Sequence, residues 1–187
     1  MEARDATQKK TLVLLGDSLT EFCGWDGLKA DYDVVNHGVA GDTTMGLWIR
    51  VNRATRLSPW AVILQIGIND LGQGLTPEEL ADNHARIWRD IRANSPQSVL
   101  VVCSLLPIRE EKLGWTSSWL ANKRVKAVNK LLRDLAAAAK LPFLDLFSVI
   151  ADEQGELPER MTLDGVHLTD SAYQVWTAEL RRFLLDF

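Results

Sequence analysis

The amino-acid sequence predicts an α/β protein, a three-layer α/β/α sandwich around a parallel β-sheet. Short apolar segments rich in β-branched residues alternate along the chain with longer amphipathic stretches, which is the pattern of βαβ units with right-handed crossovers. Two of the apolar segments, VILQI and VLVVC, show no polar alternation, as expected of strands that helices cover on both faces. In such sheets functional residues collect at the carboxyl ends of the strands.

Five segments are predicted as strands because each is short, apolar and separated from the next by an amphipathic or turn-forming stretch. They are Thr11–Gly16, Tyr32–Asn36, Ala61–Ile66, Ser98–Cys103 and Pro142–Asp145.

Three amphipathic stretches are predicted as helices. The clearest begins at Thr76, which we expect to be the N-cap, with Pro77 at the first helical position and Glu79 closing a capping box. It ends at the break Asn94-Ser95-Pro96. The other two extend over Ser117–Lys140 and from near Thr169 to the C-terminus.

The length and the absence of internal boundaries predict one domain. With 187 residues, 47% of them hydrophobic, the chain is long enough for one substantial core and too short for two equal ones. No repeat or low-complexity linker interrupts it. We therefore expect a single domain over residues 1–187, of which residues 1–10 form a polar, partly disordered N-terminus.

The net charge, the N-terminal segment and the cysteines indicate which partners and which cellular compartment to expect. Lys and Arg total 21, Asp and Glu total 25, and the net charge is −4, so we expect no nucleic-acid partner. The N-terminus lacks the apolar core of a signal peptide, and no run approaches the roughly 18 apolar residues of a membrane span. These features predict a cytoplasmic protein without integral membrane association. Cys23 and Cys103 have no metal-ligand spacing and are expected to be buried free thiols. The sequence leaves open whether the chain is a monomer or a weak homo-oligomer.

Residues typical of acyl-transfer chemistry follow the predicted strands. Ser18 comes directly after the first strand, Gly41 and Asn69 follow the second and third, and Asp164 and His167 precede the last helix. A serine hydroxyl becomes a nucleophile only when a base takes its proton and a carboxylate orients that base. Acyl transfer also needs hydrogen-bond donors aimed at the developing oxyanion. The four loops together contain each of these groups.

Each motif taken alone has an ordinary structural explanation. A serine that opens a helix is usually an N-cap, because its oxygen accepts a hydrogen bond from an unpaired backbone N–H. Glycines such as Gly41 usually mark turns that need a positive φ, and Asn69-Asp70 is typical of a turn or cap. The combination of four loops, rather than any one of them, favours catalysis.

Four sequence blocks resemble those of the SGNH/GDSL hydrolases, an esterase superfamily named for a Ser, a Gly, an Asn and a His. The resemblance covers Leu12 to Thr169. The blocks are LLGDSLTE with Ser18, NHGVAGDTTMGLWIR with Gly41, GIND with Asn69, and DGVHLT with Asp164 and His167. The resemblance implies that Ser18, Asp164 and His167 form a catalytic triad. It also implies that the Ser18 and Gly41 backbone N–H groups and the Asn69 amide form the oxyanion hole.

The family also implies a flavodoxin-like sheet of five parallel strands in the order 2-1-3-4-5, with the site at its carboxyl edge and neither a metal nor a cofactor. The motif Gly16-Asp17-Ser18-Leu19-Thr20 lacks the second glycine of the G-x-S-x-G elbow, so it does not match the α/β-hydrolase pattern. The absence of GxGxxG and of a Walker lysine loop argues against nucleotide binding.

Four further residues are candidates for a substrate pocket, two because they lie beside Ser18 in the sequence and two because their segment follows the fourth strand and should border the same edge of the sheet. They are Asp17, Trp25, Leu113 and Trp115. The segment Leu105–Trp119 follows the fourth strand and is expected to form one pocket wall. His37 and His84 are interpreted as structural histidines.

The substrate is predicted to be a small ester with a short acyl chain. An alternative within the same class is thioesterase or lysophospholipase activity on longer chains. A different class of function is a catalytically silent ligand-binding module with the same fold, which would have no need of all five of the residues above.

Overall fold

The computed structural model describes residues 9–114 and 119–187 of the chain. Five parallel strands form one sheet in the order β2-β1-β3-β4-β5, which confirms the predicted fold class and strand order. The strands are β1 (Lys10–Gly16), β2 (Tyr32–Gly38), β3 (Ala61–Gln65), β4 (Val99–Cys103) and β5 (Phe143–Leu144).

The strand bounds differ from the predicted ones by one or two residues, and hydrogen bonding explains the differences. β2 extends to Gly38, which pairs with Gly16 at the end of β1. β5 is shorter than predicted because Asp145 is the N-cap of the next helix. β1 begins at Lys10, the last residue of the segment expected to be polar and partly disordered, and residues 1–8 lie outside the described residues.

Helices cover both faces of the sheet. α3, α5 and α6 pack in a row on one face, and α8 packs with α2 and α7 on the other. The helices are α1 (Ser18–Glu21), α2 (Asp26–Lys29), α3 (Thr44–Thr55), α4 (Ile68–Gly72), α5 (Pro77–Asn94), α6 (Asn122–Ala138), α7 (Leu146–Ile150) and α8 (Asp170–Leu184). Short 3₁₀ turns occupy Glu110–Lys112 and Glu159–Met161.

The predicted start of α5 is confirmed in detail. The Thr76 side chain accepts from the Glu79 N–H, the Glu79 side chain accepts from the Thr76 N–H, and Pro77 is the first helical residue. α6 is shorter than predicted, because it begins at Asn122 rather than at 117. The Asn122 N–H donates to the Glu110 carboxylate at 2.7 Å, a start that the apolar spacing of this stretch does not indicate. Residues 117 and 118 lie outside the described residues.

The core lies on both faces of the sheet. Every residue of β3 is buried, as the absence of polar alternation predicted. Trp88 and Trp176 are buried in the flanking helix layers. Cys23 and Cys103 are buried free thiols, also as predicted. None of the helices in the described ranges has both the length and the apolar character of a membrane span.

Candidate active site

Ser18 stands at the point where β1 passes into α1. Asp17 is the N-cap of this helix, and its carboxylate accepts from the Leu19 N–H at 3.0 Å. Gly16 is required by close packing, since a Cβ there would lie 2.4 Å from the Gln65 carbonyl oxygen of β3. The tight turn brings Ser18 to the carboxyl edge of the sheet, with 6% of its surface exposed.

The structure brings Ser18, His167 and Asp164 into one hydrogen-bond chain. Ser18 Oγ lies 3.0 Å from His167 Nε2, and His167 Nδ1 lies 2.6 Å from Asp164 Oδ2. The other carboxylate oxygen of Asp164 accepts from the backbone N–H groups of Val166 and His167 at 3.0 and 2.8 Å. Asp164 therefore holds both the backbone and the ring of the histidine.

The ionisation state of Asp164 decides which nitrogen of the His167 ring carries the proton. Partial burial opposes ionisation of Asp164, but hydrogen bonds from the His167 ring and from the His167 and Val166 N–H groups outweigh it and lower the pKa of this carboxyl. An ionised carboxylate only accepts hydrogen bonds, so Nδ1 of His167 must donate. Nε2 is then left to accept from the Ser18 hydroxyl. The Phe22 ring packs against the imidazole with 5.6 Å between centroids.

The predicted donors of an oxyanion hole are the backbone N–H groups of Ser18 and Gly41 and the side-chain amide of Asn69. Ser18 and Asn69 line the same cleft, whereas Gly41 is not among the residues that line it. Within the described residues, no acceptor pairs with the backbone N–H of Ser18 or of Gly41. Gly41 has a φ of +76°, and a Cβ there would meet no atom within 4 Å, so backbone conformation rather than space favours glycine. Asn69 Nδ2 donates to the Asp42 carbonyl oxygen at 2.8 Å, which leaves its second amide hydrogen available.

Ser18, Asn69, Asp164 and His167 share one cleft of about 450 Å³. Its other walls are mostly apolar and come from α4 and the residue after it, from the end of the 3₁₀ turn, from the segment just before α6 and from the histidine loop. These lining residues are Ile68, Gly72, Gln73, Lys112, Leu113, Leu120 and Val166. A volume of this size is typical of a small-molecule site.

The four predicted pocket residues fall in different places. Leu113 lines the cleft, and Trp115 lies outside the described residues. The structure corrects the expectation for Asp17 and Trp25, neither of which lines the cleft. Trp25 is 2% exposed, and its indole N–H donates to the Thr20 carbonyl while its ring packs edge-on against Trp176. Asp17 is fully buried beneath the nucleophile position.

The buried Asp17 carboxyl has an unusual protonation equilibrium. One of its oxygens accepts from the Leu19 N–H, and the other has no hydrogen-bond partner among the described residues. Burial raises the pKa of Asp17 from 3.8 to about 7, an effect that the Leu19 hydrogen bond opposes and the nearby Asp70 carboxylate reinforces. The folded chain therefore retains a proton that the unfolded chain loses near pH 4.

We expect Asp17→Asn to stabilise the chain increasingly as the pH rises from 4 to 8. Between these values the folded parent binds more protons than the unfolded parent, so its free energy of unfolding falls as the pH rises through about 7. Since one pKa unit corresponds to about 1.4 kcal/mol, the variant should gain up to about 4 kcal/mol relative to the parent across this range. Urea unfolding at several pH values measures the difference. The exposed Asp33→Asn is the matched control, and parallel pH curves for parent and Asp17→Asn would contradict the prediction.

The other two histidines lie away from the reacting groups. His84 is fully buried, and its Nε2 donates to the Ile66 carbonyl at 3.0 Å, which confirms a core position. Burial lowers the pKa of His84 to about 4, so the ring is neutral. His37 lies on β2, outside the cleft lining, and burial together with the Arg50 and Arg53 cations lowers its pKa.

Of the residues that shape the site, Phe22, Glu21 and Arg50 were not singled out from the sequence, whereas Asp70 was interpreted there as part of a turn or cap. Phe22 covers the His167 ring, and Glu21 accepts from the Ala40 N–H at 2.6 Å in the turn before Gly41. Asp70 accepts from both the N–H and the hydroxyl of Thr44 and so connects α4 to the start of α3. Arg50 binds three segments around the site at once. The sequence feature that could have pointed to Arg50 is its position as the last residue of the block NHGVAGDTTMGLWIR, which also contains Gly41.

Comparison with known proteins identifies the family. The model of the GDSL-like lipase/acylhydrolase family matches residues 14–175. A Gallus gallus protein named platelet-activating factor acetylhydrolase IB subunit alpha2 is 32% identical over 179 residues, which cover 90% of this chain and 74% of that protein. Esterase TesA from Pseudomonas aeruginosa is 24% identical over 173 residues, covering 84% and 79%.

The fold is also shared with solved structures. A GDSL-like lipase from Bacteroides thetaiotaomicron superposes with a TM-score of 0.83 at 23% identity, covering 100% of this chain and 93% of that one. At this identity the likeness concerns the fold, whereas the family match covers residues 14–175 of the sequence. On these grounds the chain belongs to the GDSL-like lipase/acylhydrolase family and is a carboxylic ester hydrolase.

Proposed function

We propose that this chain is a serine esterase that hydrolyses short-chain esters of small molecules through an acyl-enzyme on Ser18. The observation that carries the proposal is the hydrogen-bond chain from Ser18 through His167 to Asp164, which opens into the same cleft as the Asn69 amide. The family match supports one catalytic domain over residues 1–187, since it spans residues 14–175.

The first half of the reaction follows from the hydrogen-bond directions. Ser18 Oγ attacks the ester carbonyl carbon while His167 Nε2 takes the hydroxyl proton. The resulting imidazolium donates from Nδ1 to the ionised Asp164 and from Nε2 to the leaving alkoxide, which departs as the alcohol. The carbonyl oxygen becomes an oxyanion that accepts from the Ser18 and Gly41 N–H groups and from the Asn69 amide.

The second half repeats these steps with water. His167 Nε2 takes a proton from a water molecule, which attacks the acyl carbon, and the same three donors stabilise the second oxyanion. His167 then returns the proton to Ser18 Oγ as the carboxylic acid leaves. The half-buried imidazole is accessible to water from the cleft, as this step requires.

Two observations favour a short acyl chain. The cleft volume of about 450 Å³ must hold both the acyl and the alcohol portions beside Ser18. Leu113, Leu120 and Val166 provide apolar contact for a small acyl group within that volume. The name of the 32% identical Gallus gallus relative specifies an acetylhydrolase, which supports the same assignment here.

An ester chain-length series tests the substrate proposal. The kcat/KM values for p-nitrophenyl acetate, butyrate and octanoate are measured beside acetyl-CoA and octanoyl-CoA. We expect acetate and butyrate to be preferred over octanoate by about tenfold or more, because a chain that exceeds the cleft must displace the walls beside Ser18, which costs about 1–3 kcal/mol. Activity that rises towards octanoate, or that is higher on the CoA thioesters, would contradict the proposal.

Two variants test whether the cleft determines the preference for short acyl chains. Leu113→Ala removes an apolar wall and should shift the profile towards octanoate. Leu185→Ala, the same change at a side chain 78% exposed and outside the cleft, is the matched control and should leave the profile unchanged. Mass spectrometry after treatment with a fluorophosphonate completes the test, because a stoichiometric adduct on Ser18 requires an activated serine. Absence of the adduct would favour a silent binding module.

A further inference from the structure

Arg50 on α3 binds the main chain on both sides of the candidate oxyanion hole. Its Nη2 donates to the Gly16 carbonyl oxygen at 2.9 Å, and its Nη1 donates to the His37 carbonyl oxygen at 2.7 Å. Its Nε and Nη2 also lie 2.7 and 2.6 Å from Asp42 Oδ2. A single guanidinium thus joins the ends of β1 and β2 to the turn that contains Gly41.

The ion pair of Arg50 with Asp42 is well shielded from solvent. The Arg50 and Asp42 side chains are 14% and 10% exposed. The other two acceptors of Arg50 are the main-chain carbonyl oxygens of His37 and Gly16. Charge-assisted hydrogen bonds in such surroundings are stronger and more directional than exposed ones. Two of these contacts hold main-chain carbonyl groups at the ends of β1 and β2, and the third holds the Asp42 side chain in the turn after Gly41.

Each of the three donor groups lies within two residues, or one hydrogen bond, of a residue that Arg50 contacts. Ser18 follows Gly16 by two residues, and Gly41 directly precedes Asp42. The Asn69 amide donates to the carbonyl oxygen of the same Asp42. From this juxtaposition we propose that Arg50 is a positioning residue that holds the Ser18 N–H, the Gly41 N–H and the Asn69 amide in one arrangement for the oxyanion.

The proposal rests on the proposed function, in which those donors stabilise the oxyanion. It predicts that loss of Arg50 affects kcat and KM differently. Arg50 does not line the cleft and does not touch the substrate, so its loss should leave KM nearly unchanged. Because the donors act mainly in the transition state, their displacement should lower kcat. Lysine should not replace Arg50, since one ammonium cannot reproduce the planar fork that reaches three acceptor groups.

The experiment compares Arg50→Lys, Arg50→Met and the control Arg53→Met by steady-state kinetics on p-nitrophenyl acetate. Arg53 lies on the same helix and is exposed, and its removal takes away the same charge without these hydrogen bonds. We expect kcat per active site to fall about 10- to 100-fold in both Arg50 variants and to be unchanged in Arg53→Met. End-point titration with a fluorophosphonate counts the active sites, so that partial misfolding does not appear as a lower kcat.

A double-variant cycle separates positioning from general destabilisation. If Arg50 acts through the oxyanion donors, Arg50→Lys should cost less in an Asn69→Ala background than in the parent, because one of the three donors that it positions is already absent. Equal fold losses in both backgrounds, a kcat equal to that of Arg53→Met, or an effect confined to KM would overturn the proposal. If Arg50→Met fails to fold, Arg50→Lys and Asp42→Asn carry the same comparison. Failure of the proposed function would instead appear in the parent, as esterase activity without an adduct on Ser18.

Discussion

Replacing Ser18 with alanine is expected to lower kcat on short-chain esters by about 10⁴- to 10⁶-fold. The serine oxygen is the only group in the hydrogen-bond chain with His167 that can form a covalent bond to the acyl carbon in the proposed mechanism. Alanine removes this atom and leaves His167 and Asp164 with their own hydrogen bond intact. The residual rate would come from the remaining donors and from binding alone. Ester hydrolysis with the variant in excess over the substrate, corrected for the uncatalysed hydrolysis of the ester, measures this residual rate.

The Ser18→Ala variant should keep the fold. Ser18 contributes one side-chain hydrogen bond, whose loss is expected to cost about 0.5–1.5 kcal/mol of unfolding free energy. Ser171→Ala is the matched control, since Ser171 is an exposed serine at the start of α8 and outside the cleft. Activity of Ser18→Ala equal to that of the control would show that Ser18 is not the nucleophile.

A combination with His167→Ala sharpens the same test. Nucleophile and base act as one unit in the proposed mechanism, so the double variant should be barely slower than either single one. Losses that multiply would indicate that His167 acts independently of Ser18, in contradiction to the 3.0 Å contact between them.

The positions of the catalytic candidates could be predicted because parallel strands place their carboxyl ends at one edge. Ser18 follows β1 directly, and the turns with Gly41 and Asn69 follow β2 and β3, so the topology alone brings three distant segments together. The histidine loop was placed by the resemblance of DGVHLT to a known block rather than by topology. The structure brings all four segments to the same cleft or its border.

The supporting contacts could not be predicted, and Arg50 shows why. Two of its acceptors are main-chain carbonyl oxygens, which every residue has, so no pattern of side chains marks them. Trp25 was misplaced for a related reason. It follows Ser18 closely in sequence, but α1 is only four residues long and the chain then turns through a left-handed φ of 54° at Trp25 into the core. Sequence distance does not specify the direction of such a turn.

Replacing Asn69 with alanine is expected to lower kcat by about 10²- to 10³-fold with little change in KM. The Asn69 side chain has one amide hydrogen bonded to the Asp42 carbonyl and the other available in the cleft beside Ser18. The ester carbonyl of the ground state carries little charge, so this donor matters chiefly when the oxyanion forms. The loss should therefore appear in kcat and in kcat/KM alike.

Asn69→Asp separates the loss of a donor from the loss of volume. Aspartate has nearly the same shape, but it offers acceptors where the amide offered donors and places a negative charge beside the developing oxyanion. We expect its kcat to be no higher than that of Asn69→Ala, although its side chain fills the same space. The exposed Asn52→Ala on α3 is the matched control and should retain full activity. An Asn69→Asp variant clearly faster than Asn69→Ala would mean that the residue fills space, and the oxyanion would then depend on the backbone N–H groups of Ser18 and Gly41 alone.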